Sequence, residues 1–123
     1  MNSENITLNV LNTPLESCSC NPLTGYFRDG FCNTTPDDFG THVVCAIVTE
    51  AFLKFSLSRG NDLITPNLHW NFPGLKPGDK WCLCISRWLE AEKAQVAPLI
   101  DLKATHINAL KYVSISLLKK YAV

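Results

Sequence analysis

The sequence predicts an α+β protein, in which a small mixed β-sheet carries helices that follow its strands. Short β-branched and apolar runs alternate with helical patterns along residues 42–123. Residues 1–41 are rich in turns and contain Asp29-Gly30 between aromatic residues, a pattern typical of a β-hairpin. The length of 123 residues is enough for one domain with a substantial core. We therefore expect a single domain over residues 1–123, with a hairpin segment over 1–41.

The hairpin segment is followed by a first strand and helix. Residues 42–48 are apolar on both pleat faces, as in a central strand that is covered on both sides. Thr49 is a suitable N-cap, residues 50–59 carry an apolar stripe, and Gly60 suits the position just after a helix. These residues therefore predict a β-α unit.

A long connection separates this unit from the next one. Residues 61–79 contain three prolines and two glycines and show no clear periodicity. Loops of this length in compact proteins are usually functional, or they cover the edge of a sheet. We expect this loop to form one wall of a site.

The C-terminal part is predicted to repeat the strand-helix pattern with shorter elements. The segments around Cys45 and Cys82 both run from a glycine through a cysteine-bearing strand to a capped helix. The expected order is a strand over 80–85, a helix over 87–95 capped by Ser86, a strand over 99–102, a helix over 106–111 capped by Thr105, and a last helical turn or two over 116–122.

The composition argues against several classes of partner. Eleven basic and eleven acidic residues give a net charge of zero, whereas nucleic-acid-binding proteins usually carry a basic face. The N-terminus lacks the basic and apolar runs of a secretory signal, and no segment approaches the roughly 18 apolar residues of a membrane helix. We therefore expect a cytoplasmic protein with no nucleic-acid or membrane partner. The oligomeric state and any protein or small-molecule partner are not determined by these features.

The six cysteines carry the strongest chemical signal. In a reducing compartment cysteines are packing groups, metal ligands or reactive thiols before they are disulfides. Two same-face thiolates of a strand supply half of a tetrahedral zinc site, and the alternation of side chains places Cys82 and Cys84 on one face. Zinc is thus the cofactor that the sequence suggests. The candidate ligands are Cys18, Cys32, Cys82 and Cys84, with Cys45, His42 and His106 as alternates.

A thiol-dependent enzyme or a small-ligand binder is the second interpretation. A reactive thiolate needs a nearby cation, a histidine or a helix N-terminus. Cys84 immediately precedes a predicted helix, lies three residues before Arg87, and has a geometrically open pairing with His42. The catalytic candidates are therefore Cys84, His42, Arg87 and Asp29. Candidate ligand-binding residues are Arg28 and Asp29 of the hairpin tip, together with Asn61 and Asp62 of the long loop.

An interaction module with buried thiols is the third interpretation, and structural disulfides are a further use of the cysteines. A disulfide between Cys82 and Cys84 is disfavoured, because same-face residues two apart in a strand lie roughly 7 Å from each other. These alternatives remain open at the level of the sequence.

Several longer runs are distinctive enough to compare with known families. They are Pro22 to Cys32 (PLTGYFRDGFC), Gly40 to Ala46 (GTHVVCA), Gly60 to Leu63 (GNDL), Phe72 to Leu75 (FPGL), Gly78 to Cys84 (GDKWCLC) with Arg87-Trp88, and Ala104 to His106 (ATH).

Together these runs resemble the bacterial family known as domain of unknown function 2237, over nearly the whole chain. No activity is assigned to that family, so the resemblance implies none. It does imply that any shared chemistry uses Cys18, Cys32, Cys45, Cys82 and Cys84 and spares Cys20. It also implies that the polar residues of a site come from Thr24, Arg28, Asp29, His42, Asn61, Asp62, Arg87 and His106.

Overall fold

A computed structural model describes residues 6–123. Its centre is a three-stranded antiparallel sheet in the order β2-β1-β3. The strands are β1 (Val44–Ile47), β2 (Lys80–Leu83) and β3 (Leu99–Ile100), and the helices are α1 (Glu50–Ser58), α2 (Ile85–Lys93) and α3 (Ile115–Lys120). The α+β class is thus confirmed, whereas the sheet is antiparallel and not mixed.

The first β-α unit forms where the pattern predicts it. β1 is the central strand, and its first three residues are buried. Thr49 caps α1, since its hydroxyl accepts a 3.1 Å hydrogen bond from the backbone N–H of Phe52. Gly60 follows the helix with φ of +87°, a conformation that glycine adopts without a steric penalty.

The helix after β2 begins two residues earlier than predicted. Cys84, and not Ser86, is the residue that precedes its first turn. The backbone N–H of Ile85 bonds to the carbonyl oxygen of Thr41, which anchors the start of α2 beside the entry to β1. As a result Cys84 lies at a strand-to-helix corner and not within the strand.

The C-terminal elements also differ from their predicted bounds. Thr105 is not the N-cap of the next helix: its hydroxyl accepts from the backbone N–H of Cys45 and donates to the carbonyl oxygen of Asp101. His106 takes the capping position, with its Nδ1 accepting from the N–H of Asn108. The predicted helix there is a 3-10 helix, Ile107–Lys111, and β3 stops at Ile100 because a second 3-10 helix, Leu102–Ala104, begins.

The N-terminal segment makes consecutive turns where a hairpin was expected. Residues 26–33 contain no paired strand, and Arg28 and Gly30 both have positive φ. The loop closes on itself, because the N–H groups of Cys18 and Ser19 both bond to the carbonyl oxygen of Gly30. Hydrogen bonds to the sheet and to its own turns thus replace the ladder of a hairpin.

The core has two parts. The larger part packs α1, α2 and α3 around the sheet and includes the fully buried Trp88, Phe52 and Leu118. The smaller part contains Cys18, Cys32, Cys45 and Cys82 with Ala104. Within the described part of the chain, no helix combines the length and the apolar character that crossing a bilayer requires.

Candidate functional site: a cleft lined by Cys84 and His42

Four of the cysteines form a buried cluster that joins the N-terminal segment to the sheet. Cys45 and Cys82 are directly opposite each other on β1 and β2. Each is bonded to a cysteine of the N-terminal segment, in the disulfides Cys18–Cys45 and Cys32–Cys82, with Cα–Cα separations of 5.7 and 5.2 Å. The two disulfides pack closely, since the sulfurs of Cys18, Cys32 and Cys82 all lie within 4.8 Å of one another.

This cluster corrects the expected use of the cysteines. Disulfides were the less favoured interpretation, yet four of the six cysteines form them. Cys84 does not join Cys82: the strand ends at Leu83, and the turn into α2 carries Cys84 away from the cluster. Of the candidate zinc ligands, Cys18, Cys32 and Cys82 therefore cluster, and Cys45 stands where Cys84 was expected.

The two free cysteines have different surroundings. Cys20 is exposed in the N-terminal segment, where its sulfur lies 3.9 Å from the hydroxyl of Ser17. Cys84 is half-buried at the N-terminus of α2, and its side chain makes no capping hydrogen bond. The backbone N–H groups of a first helical turn have no acceptor within the helix, so this position favours a negative charge.

Cys84 lies beside His42, which is paired with Asp38. Nδ1 of His42 lies 2.6 Å from Oδ1 of Asp38, which leaves Nε2 as the ring nitrogen available to the Cys84 thiol. Gly40 lies against both groups: a Cβ on it would be 2.6 Å from Cε1 of His42 and 3.0 Å from the Cys84 sulfur. The absence of a side chain at Gly40 thus allows the thiol and the imidazole to approach each other.

Asp38 is held in place by more than the histidine ring. Its Oδ2 accepts from the backbone N–H of His42 at 2.9 Å and from the hydroxyl of Thr34 at 3.1 Å. Burial would raise the pKa of Asp38, but these hydrogen bonds and the adjacent imidazolium together hold it below its usual value of 3.8. Asp38 is therefore a buried carboxylate whose charge faces His42.

The same contacts favour a protonated His42. The pKa of His42 is raised to about 9, and its hydrogen bond with Cys84 is the largest cause. Burial would lower the pKa, but the charge of Cys84 and the contacts with Asp38 outweigh that effect. An imidazolium flanked by a thiol and a buried carboxylate is the arrangement found where cysteine acts as a nucleophile.

Cys84 and His42 open into a cleft of about 400 Å³, within the volume range of small-molecule sites. Its apolar walls come from Leu63, Trp70, Trp81 and Leu83, and its polar lining also includes Tyr26, Arg28 and Asn61. The long loop after α1 supplies Asn61, Leu63 and Trp70, so it forms one wall of the cleft, as its length and composition predict.

The structure brings only some of the candidate site residues together. Arg28, His42, Asn61 and Cys84 line the cleft, and Asp62 lines the adjoining one. The carboxylate of Asp29 instead accepts a hydrogen bond from the nearby backbone N–H of Phe31.

Two other candidates lie elsewhere. Arg87 points towards α1 and contacts the carbonyl oxygen of Arg59 and the carboxylate of Glu90. His106 caps the Ile107–Lys111 3-10 helix, and burial followed by the charge of Lys111 lowers its pKa.

Several residues of the site were not among the candidates. Asp38 is the principal one, and its only sequence signal is the spacing Asp-x-Gly-x-His over residues 38–42. Trp81 is buried, and one face of its ring carries the Arg28 guanidinium at 5.1 Å from the centroid. Tyr26 stacks on the His42 ring with a centroid separation of 6.3 Å.

Comparison with known families identifies the same family that the distinctive runs of the sequence resemble. A family model described as "Uncharacterized protein conserved in bacteria (DUF2237)" matches residues 8–122. No curated protein matches the chain. Because the matched range covers nearly the whole sequence, the chain belongs to the DUF2237 family of uncharacterised bacterial proteins.

Proposed function

We propose that this protein is a thiol-dependent enzyme that uses Cys84 as a nucleophile on a small molecule bound in the cleft. The observation that carries the proposal is the chain Asp38–His42–Cys84 at the wall of a cleft of substrate size. A cysteine, a histidine and an orienting carboxylate are the three parts of an activated thiol nucleophile.

The residues have distinct roles in this mechanism. His42 is protonated at neutral pH and pairs with the Cys84 sulfur, and Asp38 holds the imidazole through Nδ1. The Cys84 sulfur then forms a bond to an electrophilic carbon, such as an acyl carbon, and the leaving group departs with a proton from His42. The N–H groups at the start of α2 stabilise negative charge at the sulfur and on the reacting oxygen. Acyl transfer or hydrolysis is the reaction class that this arrangement suits.

The first test compares the alkylation rates of the two free cysteines by mass spectrometry with iodoacetamide at pH 6 to 8. We expect Cys84 to react about tenfold or more faster than Cys20 at pH 6, because Cys84 has an imidazolium and a helix N-terminus beside it and Cys20 has neither. His42→Gln should slow Cys84 without changing Cys20, so Cys20 serves as an internal control in every sample. Equal rates for the two cysteines in the native protein would refute the proposal.

Zinc binding by the reduced cysteine cluster is a second candidate, favoured by the spacing of the sulfurs. Zinc–sulfur bonds of about 2.3 Å place tetrahedral ligands roughly 3.8 Å apart. Three of the sulfurs already lie within 4.8 Å of one another, and the fourth, of Cys45, is bonded to one of them. In a reducing cytoplasm, the location that the sequence suggests, the four thiols would be available to the metal.

Native mass spectrometry of protein reduced under anaerobic conditions and mixed with zinc tests this candidate. We expect one zinc per chain, lost in Cys45→Ser and kept in Cys84→Ser and Cys20→Ser. Zinc retained by Cys45→Ser but lost by Cys84→Ser would favour the ligand set Cys18, Cys32, Cys82 and Cys84. No zinc uptake by the reduced protein would eliminate metal binding at this cluster.

A further inference from the structure

Arg28 is the other charged group of the cleft, and the thiol mechanism does not use it. The residue has φ of +55°, a left-handed conformation that is uncommon for a side chain of this size. Backbone strain of this kind persists only where the surroundings hold it, and it is frequent where ligands bind. The loop around Arg28 is closed by the hydrogen bond from its own backbone N–H to the carbonyl oxygen of Gly25.

The guanidinium of Arg28 is fixed from two sides. Nη1 donates to the carbonyl oxygen of Gly25 at 3.0 Å, and the guanidinium carbon lies 5.1 Å from the centre of the Trp81 ring. Trp81 itself is buried in the sheet. An arginine that is stacked on a rigid ring and hydrogen-bonded to the backbone loses less conformational freedom when it binds a ligand.

Arg28 has no counter-ion in residues 6–123. The neighbouring carboxylate of Asp29 accepts a hydrogen bond from the N–H of Phe31 instead. Asp62, across the adjoining cleft, accepts from the N–H groups of Ile64 and Thr65 and lies beyond ion-pair distance of Arg28. The cationic fork of Arg28 is thus left facing the cleft.

The rest of the cleft restricts what this cation can bind. None of the residues that line the cleft in the described part of the chain is acidic. His42 is already engaged by Asp38 and Cys84, so Arg28 is the cationic side chain of the cleft that has no ionic partner among residues 6–123. Between Arg28 and Cys84 the walls are largely aromatic and aliphatic, with Trp70, Trp81, Leu63 and Leu83.

We propose that the cleft binds a small monocarboxylate with an apolar or aromatic body, with its carboxylate on the fork of Arg28 and its reacting carbon beside Cys84. A planar guanidinium binds a planar carboxylate through two parallel hydrogen bonds, and one unpaired cation balances one carboxylate charge. A phosphate group with two charges would leave a negative charge uncompensated in this cleft. The proposal names the substrate class of the enzyme proposed above and, in that respect, rests on it.

Equilibrium binding tests the inference without using thiol chemistry. The probes are benzoate and phenylacetate, each compared with its neutral carboxamide, and inorganic phosphate is the third ligand class. Binding is followed by NMR at the Arg28 Nε–H and the Trp81 indole N–H. We expect the carboxylates to bind about tenfold more tightly than the carboxamides, the effect of one charge-assisted interaction in a partly exposed site.

Variants of two arginines locate the interaction. Arg28→Gln should remove the preference for the carboxylates, and Arg28→Lys should retain part of it, because lysine keeps the charge but not the fork. Arg59→Gln is the matched control: it removes the same charge from an exposed arginine outside the cleft that is paired with Glu90. Amide NMR spectra of each variant report whether it folds.

The outcomes separate this inference from the proposed enzyme. A carboxylate preference that depends on Arg28 supports the inference, including in Cys84→Ser, where no thiol reaction can occur. Four results would overturn it. The carboxylates and carboxamides bind equally, neither binds, phosphate binds more tightly than carboxylate, or the preference is unchanged in Arg28→Gln. If Arg28-dependent binding is found while Cys84 alkylates no faster than Cys20, the carboxylate site stands and the thiol enzyme fails.

Discussion

At the scale of single residues, the central feature is a histidine between a thiol and a buried carboxylate. Asp38 directs both of its oxygens at His42, one at the ring and one at the backbone N–H. A fixed carboxylate on Nδ1 sets the tautomer and the orientation of an imidazole. Asp38 therefore fixes the position of the His42 ring beside Cys84.

The titration of His42 tests this arrangement directly. Because the hydrogen bond with Cys84 is the largest cause of the raised pKa, Cys84→Ser should lower the pKa of His42 from about 9 towards the ordinary histidine value of 6.5. The measurement is an NMR titration of the His42 ring between pH 5 and 10. A His42 pKa that is unchanged in Cys84→Ser would contradict the contact between the two side chains.

At the scale of elements, the site forms where the segment before β1 meets the start of α2. Asp38, Gly40 and His42 come from the turn that leads into β1, whereas Cys84 comes from the corner between β2 and α2. The hydrogen bond from the N–H of Ile85 to the carbonyl oxygen of Thr41 ties the two segments together. The antiparallel pairing of β1 with β2 thus brings the end of one strand beside the start of the other.

Gly40→Ala perturbs this junction without removing any reacting group. The new Cβ would be 2.6 Å from Cε1 of His42 and 3.0 Å from the Cys84 sulfur, closer than normal contacts, so the imidazole must shift from its position beside the thiol. We expect the rate of Cys84 alkylation at pH 6 to fall about tenfold, with little change in the rate of Cys20. A Gly40→Ala protein with wild-type Cys84 reactivity would show that the thiol does not depend on the imidazole.

The disulfides connect the N-terminal segment to the central strands. The pair Cys32–Cys82 closes a separation of 50 residues, and Cys18–Cys45 closes one of 27. Thr24, which lies between Cys18 and Cys32 in the sequence, is fully buried. Its hydroxyl accepts from the backbone N–H of Cys82 at 2.9 Å. The loop that carries Arg28 is therefore fixed to β2 by a covalent bond and a buried hydrogen bond.

Removing Cys32–Cys82 with Cys32→Ala and Cys82→Ala should lower the free energy of unfolding of the oxidised protein by about 4 kcal/mol. This is the chain-entropy contribution for a loop of that length, and the shorter Cys18–Cys45 loop gives slightly less. Urea unfolding with and without reductant is the measurement. Cys20→Ser is the matched control, since Cys20 is in neither disulfide. Equal stability of the wild-type protein under oxidising and reducing conditions would contradict a structural role for the disulfides.

At the scale of the whole molecule, the buried Asp38 links the site to the stability of the fold. Its pKa in the folded protein is lower than the unfolded value of 3.8, so the unfolded chain binds more protons near this pH. Asp38 therefore contributes stability that is present above pH 3.8 and is lost as the pH falls through its folded pKa. Protonation of Asp38 at low pH thus both destabilises the fold and weakens the contacts that hold His42.

Asp38→Asn should lower the free energy of unfolding at pH 7 by about 1–3 kcal/mol, because it disturbs hydrogen bonds to a buried charged group. The difference from the wild type should shrink as the pH falls below 3.8, because the Asp38 carboxylate of the unfolded wild-type chain then binds a proton before that of the folded protein does. Urea unfolding at pH 7, 5 and 3 measures both effects. The exposed neighbour Asp37→Asn should change stability by less than about 0.5 kcal/mol. A difference that stays constant from pH 7 to pH 3 would exclude this linkage.

Local patterns in the sequence were sufficient for the α+β class, for β1 with α1 and its Thr49 cap, and for the long loop as a wall of the cleft. Each depends on residues that are close in the chain, where periodicity, capping and turn chemistry act. The same local information placed Cys84, His42, Arg28 and Asn61 among the candidates but could not select them from Asp29, Arg87 and His106.

Only the tertiary structure decided which cysteines are bonded and which one faces a histidine. The partners of Cys45 and Cys82 come from turns 27 and 50 residues earlier in the chain, whose course depends on side-chain contacts with the sheet. The start of α2 at Ile85 turned Cys84 away from Cys82 and towards His42. Asp38 was missed for the same reason, since a carboxylate in a polar turn acquires its role only when the fold buries it against an imidazole.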